Sequence, residues 1–382
     1  GRARICILGL RGFPGVMGGV ETHCEALYPR LAQLLNADFI VLGRKDYVAA
    51  QKFEGIDITP IWAPRSKYFE AIVHTLLALL YARFACKSDV VHIHAIGPAL
   101  LSPLARLLGM RVIVTHHGCD YARAKWNGLA RAVLRAGEWI SIYAADRIIV
   151  VSMNVADALR AAHPYAAKRI VHIPNGADPS TVAARDEALL EHFGLTAHKY
   201  VLAVGRLVPE KGFHELVQAF RASKIDAKLV IAGGADHQDR YAQRLQACGG
   251  EDVVFTGRVG RAELGTLYSK TSLFVLPSHH EGLAIAALEA VAAGAPVLVS
   301  DIAANKDLAL GEENYFPVGQ VEALKRKLSR SHERYRVDRA QLLARFDWCT
   351  IAEQSSDVYA GVAPHAAKAQ LAGSGSASAM TA

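Results

Sequence analysis

Glu281 and Glu289 stand eight positions apart in Ser278-His279-His280-Glu281-Gly282-Leu283-Ala284-Ile285-Ala286-Ala287-Leu288-Glu289-Ala290, at the mouth of an apolar stretch. Upstream, Gly205-Arg206-Leu207-Val208-Pro209-Glu210-Lys211-Gly212 brings a guanidinium and an ammonium close together. Arginine is a planar fork and lysine a compact point charge, and both suit phosphate oxygens. If the apolar stretch is a helix, the amides of Gly282, Leu283 and Ala284 are its unpaired N-terminal donors, a natural seat for a diphosphate. Carboxylates beside such a seat need neutral donors, and sugar hydroxyls are neutral donors. The set therefore predicts a site for a nucleotide-linked sugar. Each glutamate taken singly keeps a plainer reading, an exposed acid favoured by the helix dipole.

These motifs, with Gly294-Ala295-Pro296-Val297 downstream and Gly18-Gly19 near the start, resemble the retaining glycosyltransferases of family 4 over roughly residues 4 to 362. The resemblance implies the GT-B fold, in which two Rossmann-like domains face a cleft. It places Glu289 on the ribose hydroxyls, Glu281 on the donor sugar, and the base near Arg258 and Val259. It also brings His117 to the donor sugar, from Thr115-His116-His117-Gly118-Cys119-Asp120. A lone histidine there is more often structural, and the adjacent His116 competes for the assignment. Gly18 and Gly19 let backbone approach the donor phosphate or acceptor without a Cβ in the way; a tight turn with no ligand is the alternative.

The expected chemistry puts Arg206 and Lys211 on one side of a departing diphosphate and the amides of Gly282 to Ala284 on the other, where preorganised donors count most. No Asp-x-Asp signature occurs in the chain. The expectation is a reaction with no metal and no other cofactor. Asp120 invites an inverting alternative in which a carboxylate deprotonates the acceptor. The resemblance favours retention, with the leaving phosphate taking the acceptor proton.

Strands and helices must carry these loops. Arg4–Gly9, Phe39–Leu42, Val90–His94, Val112–Thr115 and Ile148–Val151 read as buried strands separated by helical stretches, the pattern of a parallel α/β sheet. A second series follows in Tyr200–Gly205, Lys228–Gly234, Val253–Gly257, Leu273–Leu276 and Pro296–Ser300. The expected division is residues 1–177, an acceptor domain, and residues 178–346, a nucleotide-sugar domain; the resemblance implies that a helix over 347–362 crosses back to complete the first. The join falls at the turn-rich Ile173–Pro179, and the Ala, Ser and Gly tail over 363–382 is expected to be disordered.

Composition narrows the class. With 382 residues, 52% hydrophobic and 21% charged, the chain can fill two α/β cores. Six cysteines lack metal or redox spacing, and no basic-then-apolar leader opens the sequence, which suggests a cytoplasmic protein with reduced thiols. Ala71–Ala82 is too short an apolar run to span a membrane. Residues 1–176 hold 21 Lys and Arg against 12 Asp and Glu, whereas residues 177–382 hold 22 against 24. A basic first half fits a lipid-diphosphate-linked glycan acceptor or an anionic membrane surface; without a nucleic-acid motif, nucleic acid is not expected. The segments Trp62–Lys87 and Tyr121–Arg135 mix basic and aromatic residues and suit a lipid interface, or else simply cover the sheet. A dinucleotide oxidoreductase is disfavoured because no Gly-x-Gly-x-x-Gly follows the first strand. A sugar-nucleotide epimerase of the same fold and a non-catalytic binding protein stay as rivals.

Overall fold

The computed structural model describes residues 2–66, 69–119, 128–177, 187–235 and 240–363. Asp120, the segment Tyr121–Trp126 and the tail from residue 364 onward lie outside the described residues.

Two parallel sheets form the molecule. The first contains β1 (Ala3–Leu8), β2 (Ala37–Arg44), β3 (Lys52–Phe53), β4 (Ile56–Ile61), β5 (Val90–His94), β6 (Arg111–His116), β7 (Arg147–Val150) and β8 (Ile170–His172), in the order β3-β4-β2-β1-β5-β6-β7-β8. Only β3 runs antiparallel, against β4. The second contains β9 (Tyr200–Val204), β10 (Lys228–Ala232), β11 (Val253–Gly257), β12 (Leu273–Leu276), β13 (Val297–Ser300) and β14 (Tyr315–Phe316), in the order β11-β10-β9-β12-β13-β14. Strands covered by helices on both faces read as continuous apolar runs. That is why β1, β5, β9 and β12 stand out in the sequence. Strand β4 was not anticipated although Ile56, Ile58 and Ile61 are buried on it, because Pro60 lies in the run.

In each sheet the strand order reverses beside the first strand, between β1 and β5 and between β9 and β12. Open α/β sheets bind ligands in the crevice at such switch points. The loop carrying Arg206 and Lys211 leaves β9, the loop carrying Glu281 leaves β12, and Gly9 leaves β1 beside His94 of β5. The two crevices face each other.

The chain returns to the first domain at its end. Asp347 caps helix Trp348–Val362 by accepting from the Thr350 amide at 2.8 Å. Trp348, Ile351, Val358, Tyr359 and Val362 join the core formed by β1, β2 and helix Gly19–Leu34. Ala177 pairs with Asp347 where the two inter-domain crossings run side by side. The architecture is GT-B.

Two boundaries differ from the sequence reading. The helix expected to begin at Gly282 begins at Ile285, because Ala284 is extended (φ −73°, ψ 101°), so Gly282, Leu283 and Ala284 form the loop before it. The basic-aromatic helix drawn over Trp62–Lys87 is confined to Glu70–Phe84, and Trp62 precedes it in the chain leaving β4.

Candidate functional site

A cavity of about 800 Å³ separates the domains, and Gly18, Gly19, His117, Arg206, Lys211, Arg258, Val259, Glu281, Gly282, Leu283, Ala284 and Glu289 all line it. The sequence motifs, far apart in the chain, therefore share one wall-to-wall space.

Lys211 and Glu281 form its polar centre. Lys211 Nζ donates to Glu281 Oε1 at 2.6 Å, and Ser278 Oγ donates to the same oxygen at 2.6 Å. Burial alone would raise the Glu281 pKa; the Lys211 ammonium and the Ser278 hydroxyl override it and hold the carboxyl below its ordinary value. Its contribution to stability is present above the unfolded-state pKa and is lost as pH falls through the folded one. Glu281 thus enters the cavity as a carboxylate with one oxygen already occupied.

Glu289 behaves oppositely. Helix Ile285–Ala292 is packed on most of its surface, and Glu289 is the one carboxyl it carries. Burial raises its pKa, against the pull of Arg261 and a 3.2 Å hydrogen bond from Tyr268 Oη. The folded chain keeps this proton to higher pH than the unfolded chain does. The group favours folding at low pH and loses that advantage as pH rises through the interval between the two pKa values.

Glu210 is a further carboxylate in the cavity wall, buried with neither oxygen hydrogen-bonded within the protein. Its motif was noted in the sequence, but its burial follows from the loop folding back onto β12, where the His279 amide donates to Glu210 O at 2.9 Å. Arg206 lines the same wall.

The first domain supplies the facing loop after β1. Arg11 holds it together, donating from Nε to Glu21 Oε1 at 3.2 Å and from Nη2 to Met17 O at 3.1 Å. A Cβ on Gly18 would stand 2.0 Å from Glu21 Oε2, whereas Gly19 has open space around it. Gly18 is therefore required by the loop's own packing, and Gly19 is the position where a ligand can come close. His117 is half-buried at the cavity wall; desolvation, followed by the neighbouring His23 and His92, pushes its pKa well down, so it is a neutral imidazole near pH 7. His116 points elsewhere, to Glu138 at 2.8 Å, so of the two histidines His117 is the one at the cavity.

Asn175 was not singled out in the sequence. It lines the cavity and crosses the cleft, donating from Nδ2 to Leu283 O at 2.8 Å. Ser152 Oγ likewise donates to Asp307 Oδ2 at 2.6 Å, and Arg261 reaches Glu25 at 3.7 Å. At Gly118 and Gly282 the two backbones touch: a Cβ added to Gly282 would lie 1.8 Å from His117 O.

A GT-B cleft with phosphate-suited cations on one wall and carboxylates for neutral hydroxyls beside them defines a sugar-transferring class. Comparison with known proteins agrees. Residues 17–181 match the Glycosyltransferase Family 4 domain and residues 188–339 match Glycosyl transferases group 1. A GDP-mannose-dependent alpha-(1-6)-phosphatidylinositol monomannoside mannosyltransferase of Mycobacterium tuberculosis is 34% identical over 319 residues, 76% of this chain and 78% of its own. The alpha-maltose-1-phosphate synthase of the same organism is 26% identical and covers 93% of this chain and 98% of its own. Among solved structures, sucrose-phosphate synthase from Thermosynechococcus elongatus superposes with a TM-score of 0.79 at 21% identity, covering 94% of this chain and 99% of that one. Anabaena HepE, solved with UDP and glucose, gives 0.76 at 16% identity, covering 94% and 100%. The chain belongs to the family 4 glycosyltransferases of GT-B fold.

Proposed function

We propose that this enzyme moves a hexose-type sugar from a nucleotide diphosphate sugar to a lipid-linked glycan acceptor, with retention at the anomeric carbon and without a divalent cation, in the assembly of a surface polysaccharide. The observation that carries the reading is the Lys211–Glu281 pair sharing one cavity with Arg206 and Glu289. Lys211 and Arg206 neutralise the departing diphosphate, and the amides around Gly282 to Ala284 add donors without a metal. Glu281 holds the transferred sugar through its remaining lone pairs, Glu289 accepts from the ribose hydroxyls, and the base lies against Arg258 and Val259.

Retention is supported by the acceptor-side wall. Of the described first-domain residues lining the cavity, the carboxylates are Glu21 and Glu25. Glu21 is taken up by Arg11; Glu25 accepts from the Gly15 amide at 3.0 Å. The leaving phosphate itself is then the base for the acceptor hydroxyl. Nucleotide should be released from a sugar nucleotide only when acceptor is present, and proton NMR of the product should show an α-linkage from an α-linked donor. A β-linked product overturns retention; a full rate in EDTA is expected, and a loss restored by Mg²⁺ overturns metal independence.

Glu289 gives this reading a pH signature. Ribose hydroxyls need its ionised form, and burial raises its pKa. Nucleotide affinity, measured by calorimetry, should weaken on acidification at a higher pH than the roughly 4.3 of an ordinary glutamate. Glu289→Gln should bind more weakly at pH 7 and lose that acid limb. An unchanged limb in the variant assigns it to another group.

The lipid side rests on an exposed face of the first domain. Phe69, Leu76, Leu80, Tyr81 and Phe84 are exposed on or beside helix Glu70–Phe84, and Val133, Trp139 and Tyr143 on helix Gly128–Ala144. Both helices pack against the turn Pro98–Leu101, and Arg83, Arg131 and Arg135 are exposed along them. Among the described residues, no helix is long and apolar enough to cross a membrane. Apolar and cationic groups side by side suit peripheral binding at the cytoplasmic face. The enzyme should sediment with vesicles containing anionic phospholipid at low salt and be released as salt rises. Failure to sediment removes the membrane from the reading.

A further inference from the structure

Behind the first-domain wall of the cleft, histidines from separate elements meet. His92 and His94 are two apart on β5 and so share one face of the sheet. His23 comes from helix Gly19–Leu34, and His117 follows β6. One ring nitrogen each of His23, His94 and His117 lies within 4.8 Å of the other two, and His94 Nδ1 is 2.9 Å from His117 Nε2. His23 and His94 are 2% and 0% exposed.

The surrounding hydrogen bonds orient these rings. Asn175 spends its Nδ2 on Leu283 O, so its Oδ1, 2.9 Å from His23 Nδ1, accepts. His23 therefore carries its proton on Nδ1 and presents a bare lone pair at Nε2, a buried atom with no hydrogen-bond partner. Leaving such an atom unsatisfied is unfavourable, because it has given up its water without a replacement partner. In the tautomer that donates from Nε2 to Tyr28 Oη at 2.5 Å, His94 likewise turns the Nδ1 lone pair inward. An imidazole whose far N–H is held by an amide or hydroxyl oxygen is the usual state of a metal-ligating histidine. Nothing in the sugar-transfer chemistry above uses the lone pair on His23.

We propose that His23 Nε2, His94 Nδ1 and His117 Nε2 form a three-imidazole site for a borderline divalent transition metal ion of the Zn²⁺ type, with its fourth position open to the cleft. Nitrogen ligands at 2.0–2.1 Å in a tetrahedral array stand roughly 3.3 Å apart. The His94–His117 pair parts slightly and His23 moves inward, so bond formation exchanges one N–H···N contact for three metal–nitrogen bonds; the shared proton leaves His117 Nε2 as another is taken up from solvent at His117 Nδ1, and all three ligands stay neutral imidazoles. The ion is distinct from a metal on the diphosphate, which the reaction does not use. Its consequence rests on the proposed reaction: an ion on His117 Nε2 withdraws that imidazole from the donor sugar, so occupancy suppresses transfer.

The test uses the full chain stripped with chelator and titrated with Zn²⁺ against a chromophoric competitor, with no nucleotide sugar present, so that it is independent of the transfer reading. One ion per chain is expected, with an X-ray absorption shell of imidazole nitrogen and no sulfur, and with visible bands of a four-coordinate site when Co²⁺ replaces Zn²⁺. His23→Gln should weaken binding about 100-fold or more. Cys119→Ser should leave it unchanged, since Cys119 belongs to the other candidate cluster, with His116 and Glu138. Wild-type chain that takes up no Zn²⁺, a sulfur-containing shell, or affinity unchanged in folded His23→Gln would each overturn the site, and the first two need no variant. One equivalent of Zn²⁺ should then lower transfer in wild type but not in His23→Gln. An unaffected rate with the ion bound to the three imidazoles refutes the competition for His117.

Discussion

Lys211→Ala should lower kcat by roughly 10²- to 10³-fold, the loss typical of removing one preorganised donor from a developing negative charge. The reason lies in a contact between two loops: Lys211 Nζ sits 2.6 Å from Glu281 Oε1, with both side chains largely buried at the carboxyl edge of the second sheet. In the proposed reaction one ammonium thus serves the diphosphate and fixes the carboxylate assigned to the sugar. Its removal also takes away the main cation beside buried Glu281, leaving the Ser278 hydroxyl and the weaker pull of His280, so the carboxyl pKa rises and the acid limb of the rate profile moves to higher pH. Lys211→Arg keeps the charge but not the compact geometry, and only partial recovery is expected. Single-turnover kinetics with saturating donor isolate the chemical step. A kcat within threefold of wild type for Lys211→Ala would remove the pair from the mechanism.

Gly282→Ala should be nearly as damaging for a different reason. Gly282 has no left-handed backbone demand, and alanine suits its own loop; the added methyl would instead meet His117 O of the other domain at 1.8 Å. Backbone cannot step aside as a flexible side chain can, so the cleft must open by an ångström or more. Misplacement on that scale costs about 10²-fold in rate. It would also break the Asn175–Leu283 bond that spans the same gap. Each domain should remain folded, so the expected signature is a small change in melting temperature beside a large fall in kcat/KM and a larger radius of gyration by X-ray scattering. Wild-type kcat/KM in this variant would mean that productive turnover does not need the backbone approach of Gly118 to Gly282.

Much of the fold was legible because parallel strands buried on both faces leave contiguous apolar runs. Val90–His94, Tyr200–Val204 and Leu273–Leu276 are strands where the sequence places them. The site motifs were legible because they follow those strands, and switch-point geometry gathers such loops at one edge. Short edge elements were not: β14 is two residues long, and β4 contains a proline. The start of the helix after Glu281 was misjudged by three residues, since Ala284 is extended in the fold although alanine by itself favours helix.

What the sequence determined by itself is the inventory: two α/β domains, Arg206, Lys211, Glu281 and Glu289 beside strand ends, and a basic first half. Tertiary structure decided how they combine. Chemically alike carboxylates diverge because Glu281 lies against an ammonium while Glu289 lies in a packed helix, so their pKa values move in opposite directions. Glu210 became a buried carboxylate, and Asn175 became a bridge across the cleft. His23, His94 and His117 were brought within ligating reach of one another by three different elements. Periodicity and propensity are local signals, and burial, charge pairing and inter-domain approach arise between segments far apart in the chain. The residues were written in the sequence, but their protonation, partners and spacing came only with the closed fold.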